Sequence, residues 1–568
     1  MRHFFSAIIL FVVSSTPMAQ AAVSQAAVAM PDQYSAEVAQ QILISGGHAV
    51  DAAVAAAFVL AVTYPEAGNL GGGGFMTLVD KAQPYFLDYR EKAPLAAHRD
   101  LYLDAQKQPV RYQSLIGHQA SGVPGTVMGL WQAHRKFGRL PWADLLDPAI
   151  KLAENGFQVA DALAKKAKWY QSYLAQKPKK IHQPLNFKQY FGGIKPGKSF
   201  VQPELAATLK RLAKTGPYDF YFGKTSELIL AEMKAHNGLI SKQDLANYQA
   251  VWRQPVLAAW RGRQVVSAPP PSSGGVALVQ LLKMSQILQN DFQVAVINGE
   301  KADFPEAAIR AHFYAELSKR VYADRAAYLG DSDFVKVPLA ILTSDAYSLK
   351  RAESVNLEAI SATDEIQPGL AESHDTTHFS IIDGQGNAVS NTYTLNMPFG
   401  NGVVVTGAGF LMNNEMDDFS LKPGVANAFG VIGGQANEIA PEKRMLSSMS
   451  PTIVMKDQQV EMVVGTPGGS SIITSVFQTL VNVVERDMSA QQAVDAPRVH
   501  HQLWPKNLIQ YHPDLDGATE DALTIMGYQL KRSAYLGDVQ LIVRQYGVLQ
   551  AASDHRGRGV SKVFDIAK

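Results

Sequence analysis

The stretch 376–396 fixes its own pairing partner. Thr376-Thr377-His378-Phe379-Ser380-Ile381-Ile382-Asp383 reads as a strand, Gly384-Gln385-Gly386-Asn387 as a turn, and 388–396 as the returning strand. With a loop of three or five residues, facing positions sum to about 770, which sets Thr376 opposite Thr394. Side chains alternate with period two, so Asn396 shares the face of Thr394. One hydroxyl at a strand start with another across from it is a candidate nucleophile arrangement, although threonine is also common in strands for steric reasons alone.

The preceding chain is richer in helix. Residues 31–62 show helical patterning, broken at Gly46-Gly47. The apolar, alanine-rich stretch 49–63 is interrupted by Asp51 and stops at Tyr64-Pro65, which fits a buried helix better than a membrane span. Glycines 71–74 run into an apolar strand and read as a place of close backbone packing. Residues 86–91 read as a strand ending in charge. Helical stretches are expected over 141–155 and 203–213, and from Pro269-Pro270-Pro271-Ser272-Ser273-Gly274-Gly275 to Leu288. The polar segment 353–375 has the character of an exposed, cleavable linker, and alternating strands come after it.

At 568 residues the chain exceeds what one ordinary core supports, so two domains or one large interlocked fold is expected. Hydrophobic residues at 47% and charged ones at 18% fit a globular protein. The absence of cysteine excludes disulfides, thiolate catalysis and thiolate metal sites, so any nucleophile is an oxygen or a nitrogen. A net charge of +1 gives no reason to expect nucleic acid or an anionic membrane as partner. Met1-Arg2-His3, the apolar run 4–13 and Ala19-Gln20-Ala21 form a secretory signal over 1–21. The run is too short to span a bilayer, so a periplasmic or secreted protein is expected, with no membrane span.

Three other motifs carry less. Gly192-Gly193-Ile194-Lys195-Pro196-Gly197-Lys198-Ser199 matches the phosphate-loop spelling, but Pro203 suggests that the helix starts there instead. His500-His501 lack a third metal ligand and point to opposite faces if they lie on a strand, so they read as structural or surface histidines. No G-x-S-x-G elbow is present.

Taken together, Thr376-Thr377-His378, Thr392-Tyr393-Thr394-Leu395-Asn396, Asn413-Asn414-Glu415-Met416-Asp417-Asp418-Phe419, Leu446-Ser447-Ser448-Met449-Ser450-Pro451 and Gly465-Thr466-Pro467-Gly468-Gly469-Ser470 closely resemble the γ-glutamyltranspeptidase (glutathione hydrolase) family. The stretches 68–78, 87–91 and 269–275 agree with it in order. The resemblance implies an α+β N-terminal-nucleophile hydrolase with an αββα sandwich. The precursor would cut itself between Asp375 and Thr376 into a large subunit, 22–375, and a small catalytic one, 376–568. Asp375 stands where bacterial relatives often have other polar residues.

The freed α-amino group of Thr376 would act as base for its own hydroxyl, with Thr394 orienting it and the Gly468 and Gly469 amides forming an oxyanion hole. Arg90 would clamp the substrate α-carboxylate, with Ser447 and Ser448 hydrogen-bonded to the same group. Asp418, Asn396 and Glu415 would hold the α-ammonium. Residues 426–437 resemble a lid loop, with Phe429 at a position that is often Tyr. The implied substrates are glutathione and other γ-glutamyl compounds, with water, amino acids or dipeptides as acceptors, and no cofactor or metal. Two alternatives stay open: a cephalosporin (glutaryl) acylase on the same scaffold, and a non-catalytic, unprocessed binding protein.

Overall fold

A computed structural model describes residues 24–110, 112–176, 185–366, 377–422 and 434–566. The expected signal 1–21, the cleavage pair Asp375 and Thr376, and Phe429 lie outside the described residues.

Two antiparallel sheets are stacked face to face. Strands are numbered here in chain order: β1 (Ser24–Met30), β2 (Gly73–Asp80), β3 (Gln83–Asp88), β4 (Val251–Arg253), β5 (Val256–Trp260), β6 (Arg263–Ser267), β7 (Thr377–Ile382), β8 (Ala388–Thr394), β9 (Thr452–Lys456), β10 (Gln459–Gly465), β11 (Gln540–Gln545), β12 (Val548–Ser553) and β13 (Val560–Ile566). The first sheet runs β13-β1-β7-β8-β2-β3-β4 and the second β12-β11-β10-β9-β6-β5. Between them lies an apolar layer of Ala27, Ala29, Val79, Val266, Ile382, Ile453, Val463 and Ile542.

Helices cover both outer faces. Helix α1 (Gln33–Ile44) and helix α2 (Ala49–Thr63) pack on the first sheet; every α2 residue is buried, as its unbroken apolar sequence requires. Helix α3 (Lys224–Ala235) belongs to the same side. On the second sheet lie helices α4 (Gly274–Ile287), α5 (Glu306–Tyr328) and α6 (Ser471–Val484).

The hairpin adopts the expected register. Pairs from Ile382–Ala388 to Thr377–Tyr393 keep the constant sum that the five-residue loop dictates. The face alternation, however, stops sooner than expected. β8 ends at Thr394, and Asn396 is left-handed with φ 75°, so strand periodicity does not govern where its side chain points.

The glycine run is a packing requirement. A Cβ on Gly72 would fall on the Thr394 carbonyl oxygen, and one on Gly74 on the Thr392 carbonyl. The phosphate-loop spelling builds no phosphate loop: Ser199–Phe200 is a short strand, and the next helix, Pro203–Thr215, begins at Pro203.

The described part of the 353–375 linker is mostly exposed, as expected, yet it is pinned. On α5, Glu316 is ion-paired with Lys319 and Arg320, all three buried. Lys319 Nζ donates to the Ser361 carbonyl (2.9 Å), Arg320 donates to the Ser354 carbonyl and to Ser361 Oγ (2.8 Å), and Ser361 N donates to Glu316 Oε1 (3.1 Å). Charged groups buried this deeply persist because each has a partner.

Gly72→Ala is expected to destabilise the protein by about 1–3 kcal/mol, the range for overpacking a filled site. A urea midpoint equal to that of the parent protein would contradict the packing argument.

Candidate active site

β3 ends at Asp88, and the chain turns so that Tyr89, Arg90 and Glu91 are buried behind it. The turn is fixed by Arg90 N donating to Asp88 Oδ1 (3.0 Å), while Asp88 Oδ2 accepts from Arg253 Nε (2.7 Å). Tyr248 OH donates to the Arg90 carbonyl (2.9 Å). The guanidinium thus enters the interior with its backbone anchored on both sides. There Nη1 pairs with Glu415 Oε1 and Nη2 with Asp418 Oδ2, both acids carried on a short 3-10 turn, Glu415–Asp418. The family resemblance gives Arg90 and the two acids opposite substrate groups; in the structure they are paired with one another.

The cluster holds more acid than base. Glu91 Oε2 lies 3.8 Å from Arg90 Nη1, and Glu91 is fully buried. Burial pushes its carboxyl up to about 8, against the pull of Arg90. Burial likewise raises Glu415 and Asp418, which lie close enough to hydrogen-bond when one is protonated. Burial also raises neighbouring Asp417 to about 7, while its Oδ1 accepts from Ser114 Oγ. Burial alone would weaken the charge on Arg90, but Glu415 and Asp418 outweigh it and hold the group protonated. Among the described residues no other group hydrogen-bonds Glu415 Oε2, Asp418 Oδ1 or either Glu91 oxygen. Unsatisfied buried acceptors of this kind are costly, and a cationic donor would relieve them.

Ser447 and Ser448 come directly after the segment facing Arg90: Arg90 Nε and Nη2 lie 3.4 Å from the Met445 and Leu446 carbonyls. Asn437 joins this segment to the acidic turn, donating to the Asp418 carbonyl (2.7 Å) and accepting from Leu446 N (2.9 Å). Behind the serines, Ser273 N and Oγ both donate to the Ser447 carbonyl at 2.7 Å, and Arg325 Nε donates to Ser273 Oγ (2.8 Å). Burial brings Arg325 down to about 10. Sequence reasoning places Asn437 at the end of the lid-like segment 426–437 and assigns no role to Ser273 or Arg325; each is a positioning group whose importance lies in contacts distant along the chain.

Thr394 ends β8 beside this cluster's backbone. Asn69 Nδ2 donates to its carbonyl (2.9 Å), and its Oγ1 accepts from Asn396 N (2.8 Å), which fixes the hydroxyl's direction. Asn396 Nδ2 donates to the Asn414 carbonyl (3.0 Å), linking the hairpin to the residue before Glu415. His378 lies between the sheets, against Thr392 Oγ1 (2.8 Å) and Ser380 Oγ (3.1 Å); burial lowers it to about 3, so it is neutral.

Gly468 and Gly469 sit between β10 and α6, with φ 137° and 57°. These conformations favour glycine. The turn is braced by Ser471 Oγ donating to the Gly468 carbonyl (2.7 Å) and by Tyr322 OH donating to the Ser470 carbonyl (2.5 Å). The N-terminus of a 14-residue helix comes next and favours negative charge nearby. His500 is part of the brace: it faces Ser470 Oγ (3.3 Å), Thr474 Oγ1 (2.9 Å) and Gln502 Oε1 (3.0 Å). Both His500 and His501 are buried, so of the two expectations the structural one holds and the surface one does not.

Stacked antiparallel sheets between helical layers, with a threonine-rich strand at the centre, form the αββα sandwich of the N-terminal-nucleophile hydrolases. The sequence matches the γ-glutamyltranspeptidase family model over residues 35–564. The glutathione hydrolase proenzyme of Pseudomonas aeruginosa is 55% identical over 540 residues, 94% of each chain. The crystal structure of a cephalosporin acylase from Bacillus halodurans superposes with a TM-score of 0.80 at 25% identity, covering 98% of this chain and 99% of that one. The γ-glutamyltranspeptidase of Pseudomonas nitroreducens complexed with L-DON is 51% identical, with a TM-score of 0.55, over 60% of this chain and 97% of the solved one. The chain belongs to the γ-glutamyltranspeptidase family and is an enzyme.

The buried Glu91 has a pH signature. Its raised pKa means that the folded state holds the proton more tightly than the unfolded one. The resulting stability is complete below the ordinary glutamate pKa and is lost as pH rises through about 8. Glu91→Gln has no such proton to release, so its stability relative to the parent should increase from pH 5 to pH 9. A constant difference in urea midpoint across that range would contradict a buried protonated Glu91.

Proposed function

We propose that this enzyme cleaves γ-glutamyl amides such as glutathione and passes the γ-glutamyl group to water or to an amino acid or dipeptide amine. The observation that carries this reading is the buried Arg90–Glu415–Asp418 cluster, some of whose carboxylate oxygens find no hydrogen-bond partner among the described residues. A γ-glutamyl group presents one α-carboxylate and one α-ammonium. Its entry would exchange the internal ion pairs for substrate ones: the carboxylate on Arg90, Ser447 and Ser448, the ammonium on Asp418, Glu415 and Asn396. The exchange leaves the net charge of the pocket unchanged, which keeps its desolvation cost low.

In this reading Thr376 Oγ attacks the γ-carbonyl as the α-amino group of the same residue takes its proton. The Gly468 and Gly469 amides stabilise the oxyanion, where one lost donor costs about 2.7–4 kcal/mol. The amine leaves with a proton, and water or an acceptor amine then opens the ester. Thr394, which the register rule sets opposite position 376, would orient the nucleophile, and Phe429 would stand in a lid.

The same reading divides the chain into a signal, 1–21, a large subunit, 22–375, and a small subunit, 376–568, exported to the periplasm or secreted. No helix among the described residues is long and apolar enough to cross a membrane. Two observations support a cut at 375/376 that leaves the halves together. β1 lies between β7 and β13, and β2 pairs with β8, so the first sheet is woven from both sides of the cut. The solved Pseudomonas nitroreducens chain is also covered almost wholly by 60% of this one, the size expected of a separated large subunit.

The purified protein is expected to show two new N-termini, near Ala22 and at Thr376, and to hydrolyse γ-glutamyl anilides in preference to glutaryl anilides. Thr376→Ala should remain one band and be inactive. Preference for the glutaryl compound would favour the acylase alternative, and an unsplit, inactive parent protein the binding-protein one.

A further inference from the structure

Away from the cluster around Arg90, two imidazoles and a carboxylate converge in a way that the proposed reaction does not use. Glu232 lies in the last turn of α3 and His236 caps that helix, so the i,i+4 spacing sets both on one face. His118 reaches the same point from a short 3-10 turn, His118–Ala120. His118 Nε2 lies 2.9 Å from Glu232 Oε1, and His236 Nε2 lies 3.6 Å from the same oxygen. All three ligand atoms fall within 4.8 Å of one another, and the imidazole rings lie 4.6 Å apart.

These separations have the size a metal ion imposes. Nitrogen and oxygen ligands bound tetrahedrally to zinc at about 2.0–2.2 Å lie roughly 3.3–3.6 Å from each other. The observed 2.9 Å lies below that range, 3.6 Å lies at its upper edge and the third separation is no more than 4.8 Å, so side-chain adjustment of about an ångström would bring the three atoms onto one ion. Packing or pairing Glu232 needs only one imidazole; two ring nitrogens converging on one carboxylate oxygen are what a shared ligand point requires. The other oxygen, Oε2, accepts from Thr406 N (3.2 Å), which fixes the carboxylate as an outer hydrogen bond fixes a metal ligand. His118 and Glu232 are buried, while the His236 side chain is 28% exposed and leaves a way in from solvent.

We propose that His118, Glu232 and His236 form a binding site for a divalent transition metal of the zinc class. Two imidazoles and one carboxylate favour Zn²⁺, Co²⁺ or Ni²⁺ over Mg²⁺ or Ca²⁺, which prefer all-oxygen shells. Three protein ligands leave a fourth position for water. The metal would tie α3 to the segment 117–121. That segment is held in turn to Asn401, with Gly117 N donating to the Asn401 carbonyl (3.0 Å) and Asn401 Nδ2 donating to Ser121 Oγ (2.8 Å). The effect of the metal is therefore on stability, and the site needs no part in catalysis.

The test uses the processed protein, stripped with a chelator and titrated with ZnCl₂. One zinc per chain should bind, the melting temperature should rise and saturate with that stoichiometry, and cobalt should give the visible absorption of a four-coordinate ion. Glu232→Gln and His236→Ala should each weaken zinc binding by more than about tenfold and abolish the thermal shift, while the zinc-free melting temperature of the His236 variant, altered at a partly exposed helix end, stays near that of the parent. Absence of stoichiometric zinc, binding unchanged in both variants, or an equal shift with MgCl₂ would overturn the proposal.

Discussion

The site is organised by the burial of Arg90 against Glu415 and Asp418. A guanidinium taken fully out of water needs partners on both arms, and removing one partner of such a pair costs about 3–5 kcal/mol. That demand reaches outward through the fold. It sets where β3 ends, which carbonyls of 445–446 face inward, and why Asn437 must join the acidic turn to the segment bearing Ser447 and Ser448. With Glu91 included, the cluster keeps an excess of carboxyl groups, which the proposed function assigns to a substrate ammonium.

The strand order bears on the consequences of a cut between 375 and 376. Both sheets are antiparallel and interleave strands from distant parts of the chain, so the hydrogen bonds of β1 with β7 and β13, and of β2 with β8, do not depend on an intact linker. The buried Glu316, Lys319 and Arg320 on α5 hold residues 354 and 361 in place whether or not the chain continues unbroken beyond them. Packing alone can keep the halves of a cysteine-free chain together.

Local geometry was legible in the sequence where a short-range rule decides it. The hairpin register follows from loop length, the buried helix α2 from an unbroken apolar run, and the start of the helix at Pro203 from proline's preference for a first turn. The glycines at 72 and 74 follow from a need for close approach, although which backbone approaches them is visible only in three dimensions. The direction of Asn396 was not legible, because period-two alternation assumes a strand and the chain leaves the strand two residues earlier. Glu91 and Arg325 were quiet in sequence because their significance is burial: Glu91 shares its pocket with Asp418 from a distant segment, and Arg325 donates to Ser273, 52 residues away.

The most direct test of charge reading by this cluster is a cycle that crosses Asp418→Asn with removal of the substrate α-amino group, using γ-glutamyl and glutaryl anilides on the processed enzyme. If Asp418 holds the ammonium, the substitution should lower kcat/KM for the γ-glutamyl anilide by about 2–5 kcal/mol, the cost of leaving a buried charge unpaired. The loss for the glutaryl anilide should be smaller by at least about 1.4 kcal/mol, a factor of ten. Equal losses on the two substrates would mean that Asp418 supports Arg90 and the fold but does not read the ammonium, and would contradict the central claim.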